Sequence, residues 1–288
     1  MKKLYISDLD GTLLNNEKEV SEYTRDVINQ LIAGGLHFSI ATARTAATVV
    51  KILDGLQINL PVVLMNGVMI YDLKKAKYLK IEYVPEKTVK AIITVLKEYN
   101  LTGFMYAVLD GRLVTYYEDL KTTAMQEFYQ ERVTRYQKTF EQTASFMDIT
   151  AGNNIIYFAL LDEQKPLTFI YDTLKIWPDI DLAFYKDTYG ENLWVLEIYS
   201  QRASKFNAVN YLRKYYGFER IIGFGDNLND LPLFKACDES YAVAGAVEQL
   251  KEKATAVIGA NHEDGVARFL VEKEVKRMVN STIDNPMN

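Results

Sequence analysis

The stretch Leu4-Tyr5-Ile6-Ser7-Asp8-Leu9-Asp10-Gly11-Thr12-Leu13 joins a fold signal to a chemical one. Leu4–Leu9 is a short apolar run rich in strand formers, and a glycine-containing turn follows it. Ligands of open α/β sheets bind outside the carboxyl ends of the strands, which places Asp8 and Asp10 in the expected crevice. Two carboxylates at i and i+2 leaving a strand repel each other unless a proton or cation sits between them. A hard ion such as Mg²⁺, which takes one or two carboxylates together with substrate phosphate oxygens, meets that need. One acid can then attack phosphorus while the other handles protons. A bare Asp-x-Asp is more often an acidic turn or helix cap. The longer Asp-x-Asp-Gly-Thr string, with Thr12 included, is far more specific at the end of a first strand.

Outward from this strand the chain alternates. A helical stretch places Val27, Ile28, Leu31 and Ile32 on one face, and Gly34-Gly35 stops it. Leu36–Ala41 reads as a second buried strand, a helix with Val49, Val50, Ile52, Leu53 and Leu56 follows, and Pro61–Met65 is a third strand. The last third resumes this grammar. Phe206, Val209, Leu212 and Tyr216 mark a helix, Ile221–Gly225 a strand, and Tyr241–Ala244 and Ala256–Ile258 two more. Continuous apolar strands between amphipathic helices predict an α/β fold with a doubly wound, Rossmann-like parallel sheet.

The middle has a different rhythm. Pro85 opens a helix with Val89, Ile92, Ile93, Leu96 and Tyr99 at helical spacing. Phe104–Leu109 and Arg112–Tyr117 flank Asp110-Gly111, a strong signal for a tight antiparallel hairpin. A strand at Ile155–Leu161, a helix at Pro166–Trp177 and strands around Ala183–Lys186 and Leu193–Tyr199 complete an α+β pattern. This predicts an inserted α/β domain at 84–199 inside a discontinuous core of 1–83 and 200–288. The polar tail Ser281–Asn288 is expected to fray.

Composition narrows the chemistry. Of 288 residues, 49% are hydrophobic and 25% charged, as in ordinary globular chains, which excludes a disordered chain, a collagen-like fibre or a coiled-coil rod. The net charge of −5 leaves no basic surplus to track a phosphate backbone, so nucleic acid is not the expected partner. The single cysteine, Cys237, can form neither an internal disulfide nor a zinc site, and reads as a small buried hydrophobe. Its isolation fits a reducing, cytoplasmic setting. With only His37 and His262, acid–base work falls to carboxylates. The N-terminal apolar run is interrupted by Asp8 and Asp10, and no stretch reaches the length of a membrane helix, so no membrane partner is expected.

Other features converge on the same sheet edge. Strand two ends in Ala41-Thr42-Ala43-Arg44, which offers a hydroxyl, backbone N–H groups at a helix start and a guanidinium for phosphate oxygens. Taken alone, Thr42 is an ordinary helix N-cap. Lys205 opens a helix, where a lone lysine is normally a solvated charge. Gly223-Phe224-Gly225-Asp226-Asn227-Leu228-Asn229-Asp230 puts acids and amides in a glycine-flanked loop directly after a strand, with an Asx-rich turn as its plain alternative.

Together these residues resemble the haloacid dehalogenase superfamily of phosphatases, and within it the Cof-type, subfamily IIB group. Asn66-Gly67 and Glu263-Asp264-Gly265-Val266-Ala267 are similar to secondary signatures of that group. The resemblance implies a Mg²⁺-dependent phosphatase of small phosphorylated metabolites, sugar phosphates among them. Asp8 is then the nucleophile that becomes a phosphoaspartate, and Asp10 the acid that protonates the leaving oxygen and later activates water. It further implies Mg²⁺ on the Asp8 carboxylate, the Asp10 backbone carbonyl and Asp226. Thr42, the Leu9 and Ala43 amides, Lys205 and Asn229 would hold the phosphoryl group. Asp230 orients Lys205, with Thr12, Arg44 and Asn66 nearby. The inserted segment is the implied cap that closes over substrate and sets specificity.

Three departures stand out. Ala43 replaces the usual glycine after the threonine and would be strained at any positive φ there. Phe206 replaces a glycine after the lysine, and Ala246 removes an amide near the last strands. They bear on substrate range and rate more than on reaction type. Other readings of the same residues are a sugar phosphomutase, a phospho-acceptor signalling domain, and a sugar-binding regulator that has lost turnover. The physiological substrate and oligomeric state are not legible.

Overall fold

The computed structural model describes residues 1–152, 154–186 and 193–283, with side chains to residue 274. The chain divides into two compact units, Met1–Ala76 with Lys205–Asn288, and Lys77–Ser204.

The first unit starts with β1 (Lys3–Ser7), whose Leu4 and Ile6 are fully buried. Helix α1 (Glu22–Ala33) follows, started by the Ser21 hydroxyl accepting from the Thr24 N–H and ended at Gly34. Then come β2 (Phe38–Ile40), α2 (Ala46–Ile52), β3 (Val62–Leu64) and β4 (Met69–Asp72).

The second unit holds β5 (Lys77–Ile81), α3 (Glu86–Glu98), β6 (Phe104–Leu109), β7 (Arg112–Tyr117), α4 (Thr123–Tyr136) and β8 (Thr139–Gln142). It continues with β9 (Ile155–Asp162), α5 (Gln164–Leu174), β10 (Ile180–Lys186) and β11 (Trp194–Ser200). The chain then returns to the first unit with α6 (Lys205–Tyr216), β12 (Arg220–Gly225), α7 (Leu231–Ala236), β13 (Glu239–Val243), α8 (Glu248–Lys251), β14 (Ala256–Ile258) and α9 (Gly265–Ile283).

In the first unit the sheet order is β14-β13-β12-β1-β2, with every pair parallel. The chain runs from β1 outward to β2 and later returns on the other side at β12. The strand order therefore reverses beside β1, and the carboxyl ends of β1 and β12 flank the switch point where such sheets bind ligands. The third strand differs in detail from expectation. β3 touches the parallel sheet through the single bridge Ala41–Val63, and its regular pairing is antiparallel, with β4.

The second unit carries a six-stranded sheet ordered β10-β11-β9-β6-β7-β8, antiparallel except for the parallel β7–β8 pair. The Asp110-Gly111 turn joins β6 to β7 as expected, with φ of 49° and 74° at the two positions. One face of this sheet is closed by α3 and α5, whose Ile92, Ile93, Leu167 and Ile170 pack on Met105, Phe158, Leu196 and Ile198. On the opposite face Phe128 of α4 stacks on Phe104. The helix expected at Pro166–Trp177 begins at Gln164 and stops at Leu174, so Trp177 lies beyond it.

Cys237 is half-buried, and burial pushes its thiol pKa up, which fits packing and not reactivity. Of the tail expected to fray, Ser281–Ile283 belongs to α9, and 284–288 lies outside the described residues. No described helix is long and apolar enough to cross a membrane.

Candidate active site

Every site residue expected from the sequence lies in the first unit. Asp8 leaves the end of β1, Thr42 follows β2, Asn66 follows β3 and Asp226 follows β12. The Asp8 amide donates to the Phe224 carbonyl at 3.0 Å, which continues the β1–β12 ladder to Asp8. After Asp8 the chain turns tightly through Leu9–Leu13, with Gly11 at φ 74°. That glycine is required twice over. Its φ is left-handed, and a Cβ there would lie 2.4 Å from Asp226 Oδ2.

The centre of the site is a buried cation between carboxylates. Lys205, 1% exposed, donates to Asp8 Oδ1 and to Asp230 Oδ1, each at 2.6 Å. The sequence alone makes this lysine a solvated charge; the helix start instead delivers it into the protein. Asp230 is consumed by support, because its Oδ2 also accepts the Asp226 amide at 2.9 Å and the Asn227 amide at 3.2 Å. Gly225 makes room for it, since a Cβ at that position would meet the Asp230 Cβ at 2.7 Å.

Asp8, Asp226 and Asp230 bring carboxylate oxygens within 4.8 Å of one another. Three carboxylates face one ammonium, so the cluster is short of positive charge. Burial, followed by the neighbouring Asp230, pushes the Asp226 pKa up to about 7, although the Thr12 hydroxyl donates to it at 2.9 Å. Burial would lower the Lys205 pKa, but Asp230 and Asp8 more than reverse this and hold it above the usual lysine value. Uncompensated, hard oxygen donors suit a divalent ion such as Mg²⁺. With both Asp230 oxygens engaged, Asp8 and Asp226 are the side chains fitted to hold it.

The Asp10 carboxylate points elsewhere. Arg44 grips it with both arms, Nε to Oδ2 at 2.7 Å and one Nη to Oδ1 at 2.5 Å. The Asp10 side chain is 47% exposed, unlike the buried Asp8. Thus the two acids of one motif occupy different electrostatic settings, one locked beside an ammonium and the other at the surface on a guanidinium.

Thr42 is buried but does not cap α2, whose N-cap is Thr45. The Thr42 hydroxyl oxygen accepts the Arg44 amide at 3.2 Å, and its backbone bonds to Val63 and Asn66. These bonds tie the β2 loop to the turn Met65-Asn66-Gly67, where three consecutive residues have positive φ of 49°, 54° and 104°. Such strain in non-glycine residues persists only where the surroundings impose it. Asn66 in turn accepts from exposed Asn229 at 3.5 Å.

One expected consequence of the departures does not materialise. Ala43 is not among the described residues with positive φ, so its methyl group causes no strain. Phe206 is half-buried and lies under the Lys235 ammonium, 5.5 Å from its ring centre, as a packing residue between α6 and α7. Ala246 is buried in the turn after β13. The Asp264 signature is structural: it accepts from the Ser21 and Thr24 hydroxyls, joining the start of α9 to the start of α1. Sequence reasoning missed the Ser7 hydroxyl, which donates to the Asp8 carbonyl at 2.7 Å, and the buried, unpartnered Thr45 hydroxyl.

Comparison with known proteins agrees with this geometry. A family model described as haloacid dehalogenase-like hydrolase matches residues 5–270. The 5-amino-6-(5-phospho-D-ribitylamino)uracil phosphatase YwtE of Bacillus subtilis is 28% identical, over 91% of this chain and 95% of its own. The pyridoxal phosphate phosphatase YbhA of Escherichia coli is 24% identical, over 91% and 95%. A solved haloacid dehalogenase-like hydrolase from Bacteroides thetaiotaomicron superposes with a TM-score of 0.77 at 22% identity, covering 94% of this chain and 99% of that one.

Proposed function

Since the chain belongs to the haloacid dehalogenase-like hydrolases, we propose that it hydrolyses phosphate monoesters of small metabolites at the Asp8 edge of its parallel sheet. The observation that carries this reading is the buried Asp8–Lys205–Asp230 array beside Asp226, a carboxylate held in place within a cluster whose oxygens suit a divalent cation. The relatives' substrates, a phosphorylated ribitylamino-uracil and pyridoxal phosphate, are both small phosphate esters.

Lys205 holds Asp8 Oδ1, which leaves Oδ2 as the attacking oxygen. Its attack on phosphorus forms the P–O bond of an acyl phosphate as the ester P–O bond breaks. The departing alkoxide takes its proton from Asp10. Asp10 then removes a proton from the water that attacks the phosphoaspartate, releasing inorganic phosphate and restoring Asp8. To carry a proton, Asp10 must loosen its pair with Arg44, and the freed guanidinium becomes a donor to phosphate oxygens. Thr42, the Leu9 and Ala43 amides, Lys205 and Asn229 hold the transferring group, with Thr12, Asn66 and Asp230 as supports. A Mg²⁺ ion held by Asp8, Asp226 and the Asp10 carbonyl would supply charge neutralisation at the phosphoryl oxygens. The second unit is the cap that sets specificity and excludes bulk water.

The test is phosphate release from p-nitrophenyl phosphate, with and without Mg²⁺. Cation-dependent release is expected. No release, or conversion of hexose phosphates to isomers instead of inorganic phosphate, overturns the reading.

A further inference from the structure

A second charged cluster lies at the far end of the strands that lead to Asp8 and Asp226. On β1, Lys3 and Tyr5 share one face, and the register sets Arg220 of β12 beside Lys3 and Ile222 beside Tyr5. Glu239 of β13 stands next to Ile222. Helix α9 covers this face, with the Phe269 ring 5.5 Å from that of Phe224 and 4.3 Å from that of Tyr241. A cleft of about 370 Å³, part of it open to solvent, is lined by Lys3, Arg220, Ile222 and Glu239 from the strands and by Phe269 and Lys273 from the helix. All of these residues belong to the first unit.

Three cations, Lys3, Arg220 and Lys273, meet two carboxylates there, Glu239 and Glu274. Both Glu239 oxygens are occupied. One Nη of Arg220 pairs with Oε1 at 2.8 Å, and Lys273 Nζ pairs with Oε2 at 3.2 Å, where the Tyr241 hydroxyl also donates. Glu274 accepts the Tyr5 hydroxyl at 3.2 Å. What is left over is positive. Arg220 Nε is buried and has no hydrogen-bond partner, and the half-buried Lys3 ammonium has none among the described residues. The Arg220 side chain as a whole is 42% exposed, so the cleft can be reached from solvent.

Like charges at directly opposite strand positions repel, and a buried donor without an acceptor is costly. An oxygen anion seated against Lys3 and Arg220 relieves both, since each side chain only donates and charge strengthens the bonds it makes. The neighbouring walls, Ile222 and Phe269, are apolar and offer no side-chain acceptor to compete. A metal ion does not fit two adjacent cations, and a neutral hydroxyl satisfies the Nε donor but leaves the two charges facing each other. We propose that this cleft, at the opposite end of the sheet from Asp8, binds a small oxyanion, a phosphate or carboxylate group held by Arg220 and Lys3. The site is separate from the phosphate-ester chemistry and does not rest on the phosphatase reading.

The test follows the Arg220 Nε–H resonance in ¹⁵N-labelled full-length protein, in EDTA and at constant ionic strength, as inorganic phosphate or, separately, acetate is added. Arg220→Lys, which keeps a cation facing Glu239, identifies the resonance by its loss. A saturable shift with at least one of the two anions is expected, and the anion that saturates at the lower concentration names the group. Lys3→Gln removes no native partner and is expected to weaken binding of that anion about 3–10-fold. Lys3→Glu, which puts a negative charge in the cleft, is expected to abolish the saturable shift. Thr42→Ala, at the catalytic edge, should leave binding at this cleft within about twofold of wild type, as expected for distant sites. No saturable shift with either anion overturns the proposal, and so does equal affinity in Lys3→Gln or a shift lost only in Thr42→Ala. No phosphate ester is turned over in this experiment, so its failure leaves the phosphatase reading untouched.

Discussion

Replacing Asp226 with asparagine isolates the charge imbalance at the centre of the site. The Asp226 pKa is raised from 3.8 to about 7 in the folded protein, by burial first and by Asp230 next. A raised carboxyl pKa means that the folded state binds the proton more tightly. Its contribution to stability is therefore complete below pH 3.8 and is lost as pH rises through about 7. Three pK units at 1.36 kcal/mol each set an upper bound of about 4 kcal/mol at pH 8. Partial exposure of Asp226 reduces this to about 2–3 kcal/mol. Asparagine mimics the protonated acid and escapes the penalty. At roughly 2 °C per kcal/mol for a chain of this size, Asp226→Asn stripped of metal with EDTA should melt about 4–6 °C above wild type at pH 8. The gap should narrow to roughly two-fifths of that near pH 5 and close only below about pH 4. Excess Mg²⁺ should raise the wild-type Tm at pH 8 and leave the variant largely unmoved. Thermal melts at pH 4–8, with EDTA or Mg²⁺, read all of this. A variant no more stable than wild type at pH 8 in EDTA, with the same Mg²⁺ response, refutes the reasoning.

The remaining predictions concern the groups around that cluster. Lys205→Met leaves Asp8 and Asp230 buried without their cation, and should cost about 3–5 kcal/mol in chemical denaturation at pH 8. Asp10→Asn breaks an ion pair whose acid is half-exposed, so stability should change by less than about 1 kcal/mol while kcat falls about 10²–10⁴-fold. Gly11→Ala forces a methyl group against Asp226 at a positive φ, and should cost about 1–3 kcal/mol and abolish the Mg²⁺-induced rise in Tm.

Much of the fold is legible because strand and helix periods alternate cleanly in the first unit, and because Asp110-Gly111 is a strong hairpin signal. α4 and β8 are not, since α4 buries only Met125 among its residues and so carries no apolar stripe to read. The site is legible as a list of residues, because strand ends bring Asp8, Thr42 and Asp226 to one edge. Its electrostatics are not. Nothing local to Lys205 reveals that two acids, 197 and 25 residues distant, bury it, or that the Arg44 guanidinium engages the Asp10 carboxylate. Long-range pairing decides both. Thr42 is misread for a similar reason: the loop extends three residues before α2 begins, and its hydroxyl accepts from Arg44 within that loop.

The central claim is that Asp8 is the nucleophile of a phosphate-ester hydrolase. Its most direct measurement is a single-turnover reaction of enzyme in excess over ³²P-labelled substrate with Mg²⁺, quenched in acid at early times. The account predicts transient label on the protein that maps to Asp8, decays as inorganic phosphate appears, and is absent from Asp8→Asn together with phosphate release. Phosphate release by Asp8→Asn at a rate within tenfold of wild type would contradict it.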